Sequence, residues 1–275
     1  MKNFFIATVL AAMMLFNIAN PVSAAPAPMH KDRETIYQVA LLQSLTLGYF
    51  DGTVTVKELK AHGDIGIGTF EGLDGEMIVL DGVVYRANQD CRINVVADKV
   101  TIPFSNVTFF DADMGGDFAD FHTKAQLESA LNETLRTEGD VNSFYAIKLH
   151  GTFNAITVRS EAKQYKPYPT LVQALQATQK EKTFNNMTGT IVGLYCPDFM
   201  SSLNSVGWHF HFISDDKKNG GHVLELDLNR GSFQLDRTDG FRMILPKTDD
   251  FTALNFKHDL SEDIRKAEQD SYQGK

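Results

Sequence analysis

The stretch Gly207-Trp208-His209-Phe210-His211-Phe212-Ile213-Ser214-Asp215-Asp216-Lys217-Lys218-Asn219-Gly220-Gly221-His222-Val223-Leu224-Glu225-Leu226-Asp227-Leu228 reads as two strands around a polar, glycine-rich turn. Side chains alternate between the faces of a strand, so His209 and His211 share one face while Trp208, Phe210 and Phe212 share the other. If the second strand folds back so that His222 lies opposite His211, their Cβ atoms come within about 4.5–5.5 Å, with His209 about 7 Å along the strand. Three imidazoles then converge on one ion and leave coordination positions open, the arrangement of a catalytic rather than a structural zinc. The plainer alternative is a surface hairpin with solvated histidines.

Outward from the hairpin, the pattern is mostly strand. Residues 66–71, 76–80 and 83–86 form a meander whose turns are Leu73-Asp74-Gly75 and Asp81-Gly82. Further strands are expected at 102–111, 145–150, 153–158, 188–195, 231–235 and 241–245. Helices are expected from Ile36 to Gly48, after the capping box Thr55-Val56-Lys57-Glu58, from about 125 to 136, and after Thr170. His62-Gly63 closes the second helix, with His62 favoured there by the helix dipole. The charged tail from Asp259 to Gln269 reads as a solvated helical cap. Many short strands with a few helices give an α+β class dominated by β.

Composition bounds the rest. A chain of 275 residues that is 43% hydrophobic buries a sizeable core. Lys2, the apolar run Phe4 to Phe16 and the small-residue site Val22-Ser23-Ala24 have the order of a secretory signal peptide, with cleavage after Ala24 or Ala25. The apolar run is shorter than the ~20 residues that span a bilayer. Loss of Lys2 takes the formal net charge from −9 to −10, which disfavours nucleic acid as a partner. Export, periplasmic or extracellular, leaves no membrane attachment and places Cys91 and Cys196 where one disulfide between them is open. Residues 25–31 then form a flexible leader ahead of one domain over 32–270, with a lobe boundary between about 164 and 185.

Several motifs recur in order along the mature chain: Tyr49-Phe50-Asp51-Gly52, His62-Gly63-Asp64-Ile65-Gly66-Ile67-Gly68-Thr69-Phe70, Leu73-Asp74-Gly75-Glu76, Gly151-Thr152-Phe153, Val158-Arg159-Ser160, Pro167-Tyr168-Pro169, His209-Phe210-His211-Phe212 and Gly220-Gly221-His222-Val223. Together they resemble the α-acetolactate decarboxylases. Cys91 and Cys196 are not landmarks of that pattern. The resemblance implies a two-lobed architecture, a mixed-sheet lobe and a β-barrel-like lobe carrying the His-x-His hairpin, assembled as a homodimer. It implies zinc, or another divalent metal, on His209, His211 and His222. It also implies Glu76, Arg159 and Glu268 as catalytic residues, with Thr69 and Arg159 at the substrate.

Taken alone, Glu76 is equally a turn residue on a solvated strand, Arg159 a strand-end charge, and Glu268 a surface helix residue with Glu262 nearby as a rival. The implied reaction converts (S)-2-acetolactate to (R)-acetoin and carbon dioxide. Loss of carbon dioxide leaves an electron pair at C2, and a metal chelated by the C2 hydroxyl and C3 carbonyl oxygens would draw that pair into an enediolate. Two other readings fit a His-x-His strand: a cupin-like metal-dependent oxygenase, and a secreted metal-binding protein without catalysis. A cupin would place a carboxylate shortly after His-x-His, where only Asp215 and Asp216 stand.

Overall fold

The computed structural model describes residues 32–201, 203–257 and 259–268. The expected signal peptide, 1–24, and leader, 25–31, lie outside the described residues. In chain order the elements are β1 (Thr35–Val39), α1 (Leu42–Thr46), β2 (Val54–Thr55), α2 (Val56–Leu59), β3 (Ile65–Thr69), β4 (Glu76–Leu80), β5 (Val83–Ala87), β6 (Ile93–Val95), β7 (Thr101–Ile102), β8 (Phe104–Thr108), β9 (Met114–Phe121), α3 (Lys124–Glu138), β10 (Phe144–Ser160), α4 (Leu171–Thr178), β11 (Lys180–Cys196), β12 (Gly207–Ser214), β13 (Gly220–Thr238), β14 (Gly240–Ile244), α5 (Asp249–Thr252) and α6 (Ser261–Glu268). Strand dominates, as the α+β reading expects.

Two large sheets organise the chain. The first has the order β14-β1-β8-β3-β4-β5-β6 and is antiparallel except where β1 runs parallel to β14. The second has the order β10-β11-β12-β13-β9, and β10 also bonds to β13, so the pairing of β10 through β13 returns to its start. One hydrophobic cluster joins the sheets, with Ile36, Ile67 and Ile78 from the first meeting Phe144, Val192 and Ile213 from the second. Another cluster packs Phe210 and Phe212 beneath Leu127, Leu131 and Leu135 of α3. Among the described residues no helix is long and apolar enough to cross a membrane.

Local chemistry explains the elements that position the site. Asp81 and Gly82 both adopt positive φ, 50° and 76°, the condition for a two-residue hairpin turn whose twist matches its strands, so β4 and β5 pair in tight register. Thr55 with Glu58, and Thr170 with Gln173, form complete capping boxes that start α2 and α4. Thr123 caps α3 through the amide of Gln126.

Several expectations are corrected. The segment expected as one helix from Ile36 to Gly48 is β1 followed by the short α1. Residues 36–39 are all buried, between β14 and β8, and a strand buried on both faces has no alternation to distinguish it from a helix. The separate strands at 145–150 and 153–158 are one strand, β10, and 188–195 is the end of the longer β11. The strand at 231–235 is part of β13. His62 is not a dipole cation: its ring stacks on Tyr37 at 3.9 Å, and burial with Arg242 nearby lowers its pKa. Cys91 and Cys196 are free, buried, and packed in different clusters, so they form no disulfide. The tail is not a solvated cap, because Ile264 and Ala267 of α6 pack on Leu42, Leu45 and Leu171 of α1 and α4. Residues 164–185 carry a loop, α4 and the start of β11, and the chain changes sheet between β8 and β9 and again between β13 and β14.

Candidate metal and active site

The hairpin register brings the three histidines together. His211 stands opposite His222 across β12 and β13, and Arg159 on β10 stands opposite His222 on its other side. Gly221 permits this approach: with φ at +155°, any Cβ there would lie 2.4 Å from the carbonyl oxygen of Arg159. His209 Nε2 lies 2.9 Å from His222 Nδ1 and 3.2 Å from His211 Nε2. The candidate ligand atoms all fall within 4.8 Å of one another, the one such cluster among the described residues. On the opposite face Trp208 donates through Nε1 to Asn132 of α3, at 2.9 Å.

The first sheet fixes the tautomer. His211 Nδ1 lies 2.7 Å from the carbonyl oxygen of Met77 on β4, and a carbonyl only accepts. Nδ1 therefore carries the hydrogen, and Nε2 presents its lone pair to the cluster. Burial holds all three imidazoles neutral: it pushes His209 and His222 well below the usual histidine value, and His211 down to about 3, with Arg159 adding to the effect. In the tautomers that free His209 Nε2 and His222 Nδ1, three neutral nitrogens present lone pairs to one point, a set that a cation between them satisfies. The residues present therefore fit a divalent metal.

Carboxylates and a guanidinium surround the cluster. Glu76, at the start of β4, places Oε2 3.4 Å from His211 Nε2, and Glu268, at the end of α6, places Oε2 3.4 Å from His209 Nε2. Arg159 Nη1 lies 3.1 Å from Glu76 Oε1 and 3.6 Å from Glu161 Oε2, while Nη2 donates to the Ala267 carbonyl at 2.7 Å. Arg159 is 4% exposed and Glu161 1% exposed, so these charges interact with little solvent screening. Burial, with Glu161 alongside, raises the Glu76 carboxyl well above the usual range. Burial also pushes Glu161 and Glu268 up to about 7, against the pull of Arg159.

The structure thus gathers every site residue expected from the sequence into one narrow cavity, with His222 against its histidine wall. Thr69, opposite Glu76 in the β3–β4 register, lines that cavity and spends its hydroxyl hydrogen on the Gly75 carbonyl at 2.8 Å. Glu262, the rival of Glu268, is instead paired with Lys266 at 2.7 Å. Asp215 faces His150 and Asp216 accepts from Ser214, so neither reaches the histidines as a cupin-like carboxylate would. Sequence reading missed Glu161. The period of two was the available signal, because Glu161 follows Arg159 by two residues, just past the end of β10.

Comparison with known proteins agrees with this geometry. A family model described as alpha-acetolactate decarboxylase matches residues 36–258. The alpha-acetolactate decarboxylase of Methanosarcina mazei is 38% identical over 92% of this chain and 86% of its own length. That of Bacillus subtilis strain 168 is 36% identical over 85% of this chain and 90% of its own. The crystal structure of alpha-acetolactate decarboxylase from Bacillus subtilis strain 168 superposes with a TM-score of 0.81 at 35% identity, covering 85% of this chain and 99% of that one. With both sequence and fold shared over most of its length, the chain belongs to the alpha-acetolactate decarboxylase family.

Proposed function

We propose that this decarboxylase converts (S)-2-acetolactate to (R)-acetoin and carbon dioxide with a divalent metal, zinc by its donor set, held by His209 Nε2, His211 Nε2 and His222 Nδ1. The observation that carries the reading is the convergence of three neutral imidazole nitrogens beside a buried guanidinium, in a chain of this family. A metal bound there would supply Lewis acidity and open coordination positions for the substrate's oxygens.

The chain's own residues have the remaining tasks. Arg159 orients the substrate carboxylate through its guanidinium, itself held by Glu76 and the Ala267 carbonyl. As the C1–C2 bond breaks, carbon dioxide departs and the electron pair passes into the adjoining ketone. Glu76 and Glu268 flank the histidines, and carboxyls raised by burial keep a proton to deliver to C2 near neutral pH. Delivery of that proton to one face of C2 would give a single product enantiomer. Thr69 shapes the wall beside Glu76.

The closed pairing of β10 to β13 supports a barrel-like lobe carrying the histidines beside a mixed-sheet lobe carrying Glu76. The charge, apolar and small-residue order of 1–24 supports export, and the family resemblance supports a homodimer.

The deciding experiment follows carbon dioxide release and chiral acetoin from racemic acetolactate, with chelated protein alongside. Loss of turnover on chelation, restored to one acetoin enantiomer by readded zinc, is the expected result. Bound metal with acetoin appearing no faster than in buffer would overturn the reading, and oxygen uptake in its place would favour the oxygenase.

A further inference from the structure

Glu161 is the buried group of this site that the reaction as read leaves without a task. It is 1% exposed, lines the same cavity as Arg159, and neither carboxylate oxygen has a hydrogen-bond partner. A buried carboxylate without donors is costly, and the partner that offsets it is Arg159 Nη1 at 3.6 Å, beyond hydrogen-bond length. The same Nη1 faces Glu76 at 3.1 Å, and Nη2 is spent on the Ala267 carbonyl. An anionic substrate that docks on this guanidinium therefore meets a carboxylate already beside it.

We infer that Glu161 is a built-in competitor for Arg159, a positioning residue whose negative charge weakens the hold on the substrate carboxylate and speeds its departure as carbon dioxide. The inference rests on the role of Arg159 proposed above. The physical reason is a change of charge along the reaction. In the ground state the substrate's negative charge sits on the carboxylate near Glu161. When the C1–C2 bond breaks, that carboxylate leaves as neutral carbon dioxide and the electron pair moves toward the ketone oxygen. Repulsion from Glu161 is thus felt more by bound substrate than by the transition state, and such an interaction raises KM and kcat together. Burial pushes the Glu161 carboxyl up to about 7 while Arg159 and the neighbouring Glu76 carboxyl pull it down, and Glu268 and Asp74 are the other charges that face it. Mildly alkaline solution therefore keeps it ionised.

The test compares metal-loaded wild type with Glu161→Gln and Glu161→Leu at mildly alkaline pH. The probe is 2-hydroxy-2-methylpropanoate, which carries a carboxylate and a hydroxyl on a methyl-bearing carbon but has no ketone to accept electrons. Its Kd is measured by calorimetry alongside steady-state kinetics on acetolactate. In Glu161→Gln the probe is expected to bind about tenfold tighter, with KM and kcat each falling about tenfold. Glu161→Asp is expected to recover part of kcat, and Glu161→Leu shows the same direction without a polar replacement. Weaker probe binding with a raised KM, or an unchanged kcat, would overturn the inference and leave Glu161 as a strut for Arg159. Arg159→Lys tests the underlying reading separately: if it leaves probe binding unchanged, the role of Arg159 fails, whatever Glu161 does.

Discussion

Arg159 donates from Nη2 to the carbonyl oxygen of Ala267 at 2.7 Å, joining the end of β10 to the last turn of α6 across 108 residues of chain. This bond closes the site, since the next residue, Glu268, is the one that reaches His209. The histidines themselves belong to β12 and β13, and the register of that hairpin sets their convergence.

Deleting residues 259–275 should therefore separate metal binding from turnover. The truncated chain is expected to keep one metal ion per chain and to lose activity about a hundredfold or more, because it lacks both the Glu268 carboxyl and a fixed end for Arg159. Glu268→Gln, which keeps the helix and its contacts, should reproduce much of the loss. Metal analysis beside acetoin production checks this, and a truncated protein with wild-type turnover would remove α6 from the reaction.

Gly221 makes a second, purely steric prediction. Gly221→Ala drives a methyl group toward the Arg159 carbonyl, in a backbone conformation that disfavours side chains. A loss of about 1–3 kcal/mol is expected in urea unfolding, together with reduced metal retention, because His222 is the next residue. Gly207, also at positive φ but with nothing within 4 Å, provides the control. Gly207→Asn should change stability by less than about 0.5 kcal/mol. Equal effects at the two glycines would mean that the close approach of β13 to β10 does not govern the site.

The contrast between these elements shows what could be read in advance. The hairpin was legible because its alternation is local: histidines on one face and aromatics on the other need only a strand. Glu76 and Arg159 took their placement from motif resemblance, since nothing in the spacing of residues 76 and 159 brings β4 beside β10. Tertiary packing decided the rest. Ser261–Glu268 looks solvated until α1 and α4 supply the apolar surface that buries Ile264 and Ala267. β1 resembles a helix because its four buried residues hide their period. β9, exposed or half-exposed throughout and containing Gly115 and Gly116, carries little apolar signal and is held by its pairing with β13.

The cysteines give a third prediction. Burial pushes both thiols up to about 12, so neither offers a thiolate at physiological pH. Native protein should react with no equivalents of a thiol reagent and unfolded, unreduced protein with two, with activity the same in the presence or absence of reductant. Fewer than two thiols after unfolding would mean that a bond joins residues that the fold keeps in separate clusters.

Asp236 supports a prediction about pH, far from the metal cluster. Its side chain is buried on β13, Oδ2 has no hydrogen-bond partner, and burial, aided by Asp113, Glu34 and Asp111, pushes its pKa from the ordinary 3.8 to about 8 against the backbone bond from Asp111. Between those values the folded chain holds a proton that the unfolded chain releases. The contribution of Asp236 to stability is therefore complete below about 4 and lost as pH rises through about 8. Asp236→Asn stays neutral throughout and escapes this loss. The variant and wild type should unfold at similar urea concentrations in acid, with a gap of about 1–3 kcal/mol opening in favour of Asp236→Asn as the solution becomes alkaline. The glutamates and histidines of the site titrate equally in both proteins and cancel in the difference, which isolates Asp236. A gap that stays constant from acid to alkaline pH would show that Asp236 is ionised in the fold and neutralised by a partner.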